Sequence, residues 1–263
     1  LPDPDHHKIR VLLAQESGKS ILSPLDLNRV KRYAAVDFQK QDRTYALYIL
    51  IRPDSRMIEL TNANGYIVNR FPYSGKSDLV SSLEKRIQHA FLKDLLENIR
   101  SEHGFPMSVK VEYQGKDYDK NEFYCGQEIS YIIRSDADAY VYVISVDAGG
   151  ELNLYLPFKY QKNNKIRKGG IIRILDPREC GDDLALEISN EPGEEILKIL
   201  ASPTPLNIRM AQDKDDYLSK LTFEQALNNI KDVILQLRTK PIWYEGTRKY
   251  MNYTPGEYNR KFR

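Results

Sequence analysis

The sequence is poor in the residue types from which most protein active sites are built. Its 263 residues include two cysteines, four histidines and one tryptophan. No histidine stands three or four residues from a second histidine or from a cysteine, a spacing that zinc ligands commonly have. The Gly-x-Ser-x-Gly pattern of many hydrolases is also missing. We therefore expect no catalytic residue, no bound metal and no cofactor, and favour a protein that is not an enzyme.

Complete phosphate-binding loops are missing as well. Gly18-Lys19-Ser20 and Gly75-Lys76-Ser77 have the ending of such a loop. The full pattern also needs a glycine five residues before the second glycine, where this chain has Leu13 and Arg70. We interpret both fragments as turn or helix-cap residues.

An excess of charge of one sign is lacking too. The 39 basic and 37 acidic residues leave a net charge of +2, which predicts no nucleic-acid partner. Long apolar runs are missing, and none approaches the roughly 20 residues that cross a bilayer, so we expect no transmembrane segment. The chain begins at Leu1 rather than Met, and we expect a processed or truncated product from which any signal or lipid-attachment segment has already been removed.

Cys125 and Cys180 could form a disulfide in an oxidising compartment or remain two separate thiols. The sequence leaves both alternatives open. Asp136, Asp138 and Asp147 could suggest a calcium site, but the spaced oxygen ligands and closing glutamate of a helix–loop–helix site are missing. We interpret these aspartates as turn residues that bond their own backbone.

What the sequence has instead is tyrosine and the alternation typical of strands. Eighteen tyrosines against eight phenylalanines favour half-buried pleated surfaces. Residues 128–157 alternate apolar and polar side chains in three stretches, and Asp147-Ala148-Gly149-Gly150 separates the last two. Alternation bounded by Asp/Gly clusters predicts antiparallel strands joined by tight turns.

The fold class predicted is α+β, with a small α+β domain followed by an antiparallel β-sandwich, a C-terminal helix and an extension. In the first domain (1–105), we predict a strand, a short helix or turn, three strands and a long helix. Asn62-Ala63-Asn64-Gly65 predicts a hairpin between the last two strands. Ser77 is the expected N-cap of the long helix, and Phe91 belongs to its apolar stripe.

Turns at regular intervals predict a sandwich over residues 106–210. The third segment (211–263) contains an amphipathic helix over 221–238, capped by Thr222 or Ser219, and then an extension that mixes aromatic and basic side chains. Aromatics interleaved with cations can hold a protein partner or a glycan. The candidate partner-binding residues are Trp243, Tyr244, Arg248, Lys249, Tyr250, Tyr253, Tyr258, Arg260 and Phe262. For Trp243 and Tyr244 we favour the alternative that they attach the extension to the sandwich.

Residues 126–206 resemble a bacterial β-sandwich domain family of unknown function. The residues that carry the resemblance are Tyr131, Arg134, Ala139 to Val143, Asp147, Gly150, Leu154 to Pro157, Gly169-Gly170 and Pro192 to Glu195. Tyr155 and Phe158 depart from the expected Phe and Asn. The resemblance implies a domain that is often joined to caspase-like, kinase or repeat modules, or found in exported envelope proteins, and it implies no catalytic residues.

Three functional hypotheses follow. The first is a non-enzymatic interaction or scaffold module of a bacterial envelope protein, periplasmic or outer-envelope associated, that binds a protein partner through the extension. The second is a glycan or peptidoglycan binder that uses exposed tyrosines and Trp243 as stacking surfaces. The third is an enzyme of unrecognised type.

Overall fold

The computed structural model describes residues 1–15, 22–23, 26–38, 45–62, 67–118, 120–158, 161–175, 186–208 and 221–262. These residues form two compact units. The first contains Asp3–Leu95, and the second contains Leu96–Arg263 together with Leu1–Pro2. The fold is mostly β with a C-terminal helix, so the predicted fold class is confirmed.

The first unit is a mixed sheet with one long helix. The sheet order is β2-β1-β3-β4-β5, in which β1 runs parallel to β2 and β3, while β3, β4 and β5 are antiparallel neighbours. Helix α1 (Lys76–Glu97) follows the last strand. The strands are β1 (Ile9–Gln15), β2 (Ala34–Asp37), β3 (Leu47–Arg52), β4 (Met57–Asn62) and β5 (Ile67–Pro72).

Two local predictions in this unit need correction. Strand β2 was not predicted, because a four-residue strand that pairs with a distant parallel neighbour leaves little periodicity in the sequence. The short helix or turn predicted before it is present as a single 3-10 turn, Asn28–Val30. Ser77 is not the N-cap, since it lies inside the first turn of α1. The predicted hairpin strands pair as β4 and β5, but turn residues 63–66 and Gly18-Lys19-Ser20 lie outside the described residues.

The predicted apolar stripe of α1 is largely buried, although Val80 and Ala90 on it are partly exposed. Its apolar side chains alternate with exposed polar ones, and Phe91 is only 1% exposed. The Phe91 ring lies 5.4 Å from the ring of Tyr33 and 5.5 Å from that of His7. These contacts place the helix against the residues that flank β1 and β2. The buried residues of α1 are Leu79, Leu83, Ile87, Phe91, Leu92, Leu95 and Leu96.

The second unit contains two facing sheets. One has the order β11-β10-β15-β16-β8, with β12 also paired to β10, and the other has the order β13-β9-β6-β7, with β14 also paired to β9. Side chains from both sheets form one core cluster that includes Tyr131, Val141 and Leu197. The strands are β6 (Met107–Tyr113), β7 (Lys116–Asp117), β8 (Glu122–Tyr124), β9 (Glu128–Ser135), β10 (Ala139–Val146), β11 (Leu152–Leu156), β12 (Lys165–Ile166), β13 (Ile171–Arg173), β14 (Leu186–Glu187), β15 (Gly193–Ser202) and β16 (Tyr244–Tyr253).

Helix α2 (Phe223–Arg238) begins at the predicted cap. The Thr222 hydroxyl accepts a hydrogen bond from the Gln225 N–H, and the Gln225 side chain accepts one from the Thr222 N–H, which completes a capping box. The Gln236 side chain bonds the backbone of Asn207, and the Tyr142 hydroxyl on β10 bonds the backbone of Leu206. Residues 206–207 therefore connect α2 to the sandwich.

The division of the chain into 1–105, 106–210 and 211–263 stays a prediction, but the structure shows how the last segment is used. Strand β16 lies inside a sheet, between β15 and β8, rather than outside the sandwich. It pairs antiparallel with β15 from Tyr244 to Asn252 and parallel with β8. Helix α3 (Pro255–Phe262) follows it directly.

Candidate functional site

Four tyrosines meet at one end of the sandwich, and we call them the tyrosine quartet: Tyr113, Tyr118, Tyr124 and Tyr258. Tyr113 ends β6, Tyr118 follows β7, Tyr124 ends β8, and Tyr258 lies on α3. Both sheets and the last helix thus contribute to one cluster. All four side chains are partly exposed.

The quartet closes on itself through alternating ring and hydroxyl contacts. The rings of Tyr113 and Tyr118 are 5.9 Å apart, and those of Tyr124 and Tyr258 are 5.7 Å apart. The hydroxyls of Tyr118 and Tyr258 are 3.1 Å apart, and so are those of Tyr113 and Tyr124. Both ring pairs are edge-to-face, the geometry that the aromatic quadrupole favours. Each tyrosine therefore fixes two others.

Hydrogen bonds to neighbouring groups determine which hydroxyls of the quartet donate and which accept. The Tyr118 hydroxyl donates to the Glu122 carbonyl at 2.8 Å, so its oxygen can only accept from the Tyr258 hydroxyl. The Gln114 amide donates to the Tyr113 hydroxyl at 3.1 Å. The hydroxyl contact with Tyr113, together with partial burial, raises the pKa of Tyr124 to about 12. Burial raises the pKa of Tyr118, so the Tyr118 and Tyr124 phenols stay neutral at physiological pH.

A local sequence pattern begins the helix that carries Tyr258. Thr254 and Glu257 form a capping box at the start of α3: the Thr254 N–H and hydroxyl donate to the Glu257 carboxylate, and the Glu257 N–H donates to the Thr254 hydroxyl. Pro255 occupies the first helical position, which suits its fixed φ. Thr254-Pro255-Gly256-Glu257 is the signal that could have predicted this helix and the position of Tyr258.

The structure places two of the nine predicted residues in the interior. Trp243 is 6% exposed and Tyr250 is 5% exposed. The Tyr250 hydroxyl accepts a hydrogen bond from Tyr131 at 2.8 Å, and its ring contacts Phe123 at 5.3 Å. Trp243 can therefore not act as a stacking surface in this fold, which corrects that part of the glycan hypothesis.

Three further predicted residues lie along β16. Tyr244 is half-buried and its ring lies 6.3 Å from that of Phe105. Arg248 donates to the Val109 carbonyl at 2.7 Å, a bond from the β16 side chain to the opposite sheet. Lys249 is paired with Glu97. The Arg248 bond fastens the extension to the opposite sheet of the sandwich.

The remaining predicted residues lie at the end of β16 or on α3. Tyr258 is a member of the quartet. The Lys261 ammonium lies 4.5 Å from the centre of the Tyr253 ring, and it also lies 3.6 Å from the Glu122 carboxylate. Arg260 is exposed and donates to the Gly256 carbonyl at 3.3 Å. Phe262 lies on α3. That the nine residues contact a partner stays a prediction, and sequence reasoning did not single out Tyr113, Tyr118 or Tyr124.

The Tyr131–Tyr250 pair predicts an alkaline transition. Burial raises the pKa of both phenols well above the ordinary value of about 10. The unfolded chain therefore loses these protons at lower pH than the native protein, and stability is expected to fall as the pH rises above about 10. Absorbance at 295 nm and circular dichroism, recorded together, should show these phenols ionising only as the fold is lost. Ionisation of all 18 tyrosines near pH 10 with the circular dichroism unchanged would contradict the burial of this pair.

Lys198 forms a second polar cluster on β15 and β16, away from the surface. The side chain is fully buried, and its ammonium donates to the Glu245 carboxylate at 2.6 Å, to the Thr247 hydroxyl at 2.7 Å and to the Ile99 carbonyl. Burial lowers the pKa of Lys198 to about 8. Arg100 also contacts Glu245, at 3.2 Å. The cluster joins the segment after α1 to the sheet, and its completed hydrogen bonds indicate a structural role.

The aspartates with candidate metal roles bond backbone groups. The Asp147 carboxylate accepts from the Glu151 N–H at 2.8 Å, and the Asp138 carboxylate accepts from the Lys168 N–H at 2.7 Å. Within the described part of the chain, no group of three or more His, Cys, Asp or Glu side chains is placed to hold a metal ion. Burial raises the pKa of the Cys125 thiol to about 11, while Cys180 lies outside the described residues.

Residues 122–205 match a domain of unknown function, DUF4384. The match confirms the resemblance seen over residues 126–206. The DUF4384 region runs from β8 to the segment after β15, and therefore contains Tyr124 but not the other three members of the quartet.

Comparisons over the whole chain add little to the DUF4384 match. No curated protein matches the sequence. Among solved structures, a chain of red sea bream transglutaminase aligns with 59% of this chain at 10% identity and a TM-score of 0.18. This chain spans about a quarter of that enzyme's length, since the alignment covers 24% of it. A similarity so low supports no statement about fold or function. Across the described residues, no helix is long and apolar enough to cross a membrane.

Proposed function

We propose that the second unit is a non-enzymatic binding module whose docking surface is the tyrosine quartet. The observation that carries the proposal is the closed ring of contacts among Tyr113, Tyr118, Tyr124 and Tyr258 on partly exposed side chains. Tyrosine is enriched at binding hot spots, because its ring offers a large contact area and its hydroxyl offers a polar handle. Side chains that are already held in place lose little further freedom on binding.

The edge strand beside the quartet supports docking on side chains rather than by strand addition. On β8, the Glu122 carbonyl accepts from the Tyr118 hydroxyl, and the Tyr124 N–H donates to the Gln127 side chain. The Tyr124 carbonyl accepts from the Gln127 N–H. These backbone groups are the ones that an added strand would need. A ligand of this end of the sandwich therefore meets rings and hydroxyls first.

We propose that the module acts at the bacterial envelope. The resemblance of residues 126–206 to domains of exported envelope proteins supports this location. Fractionation of the native host, followed by immunodetection of the chain, tests it. Recovery in the cytosolic fraction alone would contradict the proposal.

Point variants test the docking surface better than truncation does. A chain ending at Lys240 would lack β16, which lies between β15 and β8, so a lost partner would report a broken sheet. We expect the double variant Tyr113→Ala, Tyr258→Ala to lose at least about tenfold in capture of its envelope ligand, because each alanine removes one contact worth about 1 kcal/mol or more. The measurement is a crosslinking pull-down from native envelope fractions.

The matched control is Tyr140→Ala. Tyr140 lies on β10 in the same unit, is partly exposed, and has the Lys165 ammonium 5.7 Å from its ring centre. The double variant and Tyr140→Ala should both keep the native fluorescence of Trp243, which is buried in the second unit. Equal capture by wild type and the double variant would refute the quartet as the docking surface.

A further inference from the structure

We infer that the ligand of the tyrosine quartet is a neutral glycan strand whose sugar rings stack on Tyr124 and Tyr258. The inference rests on the proposed function, and adds the chemical class of the ligand. It follows from three features of the quartet. It mixes rings and hydroxyls, the contacts seen among the described residues include no aliphatic side chain, and the charges at its border are balanced.

The chemistry of the quartet matches that of a pyranose. A pyranose with equatorial hydroxyls has an apolar C–H face and a polar rim, so it is recognised by an aromatic ring together with nearby donors and acceptors. Tyr124 and Tyr258 supply adjacent rings 5.7 Å apart, set edge to face. Gln114 and the hydroxyl of Tyr113, 3.1 Å from each other, supply amide and phenol groups beside them. Rings and polar groups are thus both present in the quartet, as recognition of a pyranose needs.

A protein partner fits the quartet less well. The centre of a protein–protein interface is depleted of charge and includes buried apolar anchors. Tyrosine itself is enriched at such interfaces, so what disfavours a protein partner is the lack of an aliphatic anchor beside the quartet in the described part of the chain. The large aliphatic side chains exposed among the described residues belong neither to the quartet nor to the side chains that bond to it: Leu1, Ile67, Ile171, Leu235 and Ile242.

A polyanion fits less well too, because the charges around the quartet are of both signs. Lys261 lies 3.6 Å from the Glu122 carboxylate, and Lys110 lies 2.6 Å from the Asp117 carboxylate. Binding to a polyanion is driven by clustered cations that replace its counterions. Ion pairs at the border weaken that attraction, whereas they do not oppose a neutral glycan.

Isothermal titration of the full chain with chitohexaose and with cellohexaose tests the inference. Both probes are neutral β-1,4-linked strands. We expect at least one to bind wild type, and Tyr124→Ala and Tyr258→Ala each to weaken that binding by about tenfold or more. Tyr258→Phe keeps the ring and removes the hydroxyl bonded to Tyr118, so it should bind more tightly than Tyr258→Ala. Tyr140→Ala should bind like wild type.

The outcomes separate this inference from the proposed function. If neither hexasaccharide binds while quartet variants still lose the envelope ligand in the pull-down, the glycan class is wrong and the docking surface stands. If Tyr140→Ala weakens hexasaccharide binding as much as Tyr258→Ala, the sugar does not lie on the quartet. Loss of binding in Tyr258→Ala with an unchanged Trp243 unfolding midpoint excludes unfolding as the cause. Loss of binding together with a lowered midpoint, in both the Ala and Phe variants, would overturn the stacking role.

Discussion

Replacing Phe91 by Asp is expected to lower the free energy of unfolding by several kcal/mol. The Phe91 ring is 1% exposed, and its centre lies 5.4 Å from that of Tyr33 and 5.5 Å from that of His7. The substitution removes this packing, for which truncation of a buried Phe alone costs about 3–5 kcal/mol, and it also puts a carboxylate into an apolar interior. A fall in the urea midpoint, followed by circular dichroism, is the expected result.

Ser81→Asp is the control for Phe91→Asp. It places the same side chain on the same helix at an exposed position, where the present Ser81 hydroxyl makes one bond to the Asp78 carbonyl. Its effect should stay below about 1 kcal/mol. A Phe91→Asp midpoint equal to that of wild type would show that the buried face of α1 has been assigned wrongly.

Replacing Lys198 by Met is expected to cost about 3 kcal/mol. The methionine fills a similar volume but removes the buried ammonium that pairs with the Glu245 carboxylate. That carboxylate is 13% exposed and keeps only its contacts with Arg100 and Thr247. The Ile99 carbonyl also loses its donor. Removal of one member of a buried pair is costly because the other stays behind in a poorly solvated place. Urea unfolding followed by Trp243 fluorescence measures the effect in the second unit.

The same substitution at Lys249 is the matched control. Lys249 is two strand positions from Thr247 on β16 and also pairs with a glutamate, Glu97, but its side chain is 42% exposed. Exposed pairs contribute about 0–1 kcal/mol, so Lys249→Met should change stability little. Equal effects at the two lysines would contradict the buried role of Lys198.

The pH dependence of stability gives a second readout for Lys198. Its folded pKa of about 8 lies below the value of about 10.4 expected in the unfolded chain. Between these values the unfolded state binds the proton and the native state does not, so wild-type stability should rise with pH from about 8 to 10. Lys198→Met should lack this rise. An identical pH profile in both proteins would contradict a depressed pKa.

The long elements could be predicted from the sequence because their patterns are local. The alternation of Tyr131 and Ile133 identified β9, and the 3.6-residue spacing around Phe91 and Ile230 identified α1 and α2. Short strands such as β7 and β12, each of two residues, have too few positions to establish a period. Their pairing is determined by the partner strand, which the local sequence does not reveal.

Strand β16 shows a different limit. Its residues, Tyr244 to Tyr253, mix aromatic and charged side chains, and the sequence analysis interpreted them as an extension. Charged side chains are tolerated there because Arg248 bonds the Val109 carbonyl and Glu245 pairs with Lys198. These partners are 139 and 47 residues away along the chain.

The quartet could not be assembled from the sequence for the same reason. Tyr118 and Tyr258 are 140 residues apart, and their contact depends on the order of strands in both sheets. The excess of tyrosine over phenylalanine indicated half-buried aromatic surfaces. The aromatic and basic composition of the last segment indicated Tyr258. Tyr113, Tyr118 and Tyr124 had no distinguishing neighbours, so their role emerged only with the topology.

Photo-crosslinking in the native host tests the central claim most directly. Benzoylphenylalanine at position 116, an exposed site that pairs with Tyr113 across β6 and β7, would be compared with the same probe at position 235, an exposed site on α2. Docking on the quartet predicts an adduct from position 116 that disappears in the Tyr113→Ala, Tyr258→Ala background, and none from position 235. An adduct from position 235 alone, or one from position 116 that survives loss of the tyrosines, would contradict it.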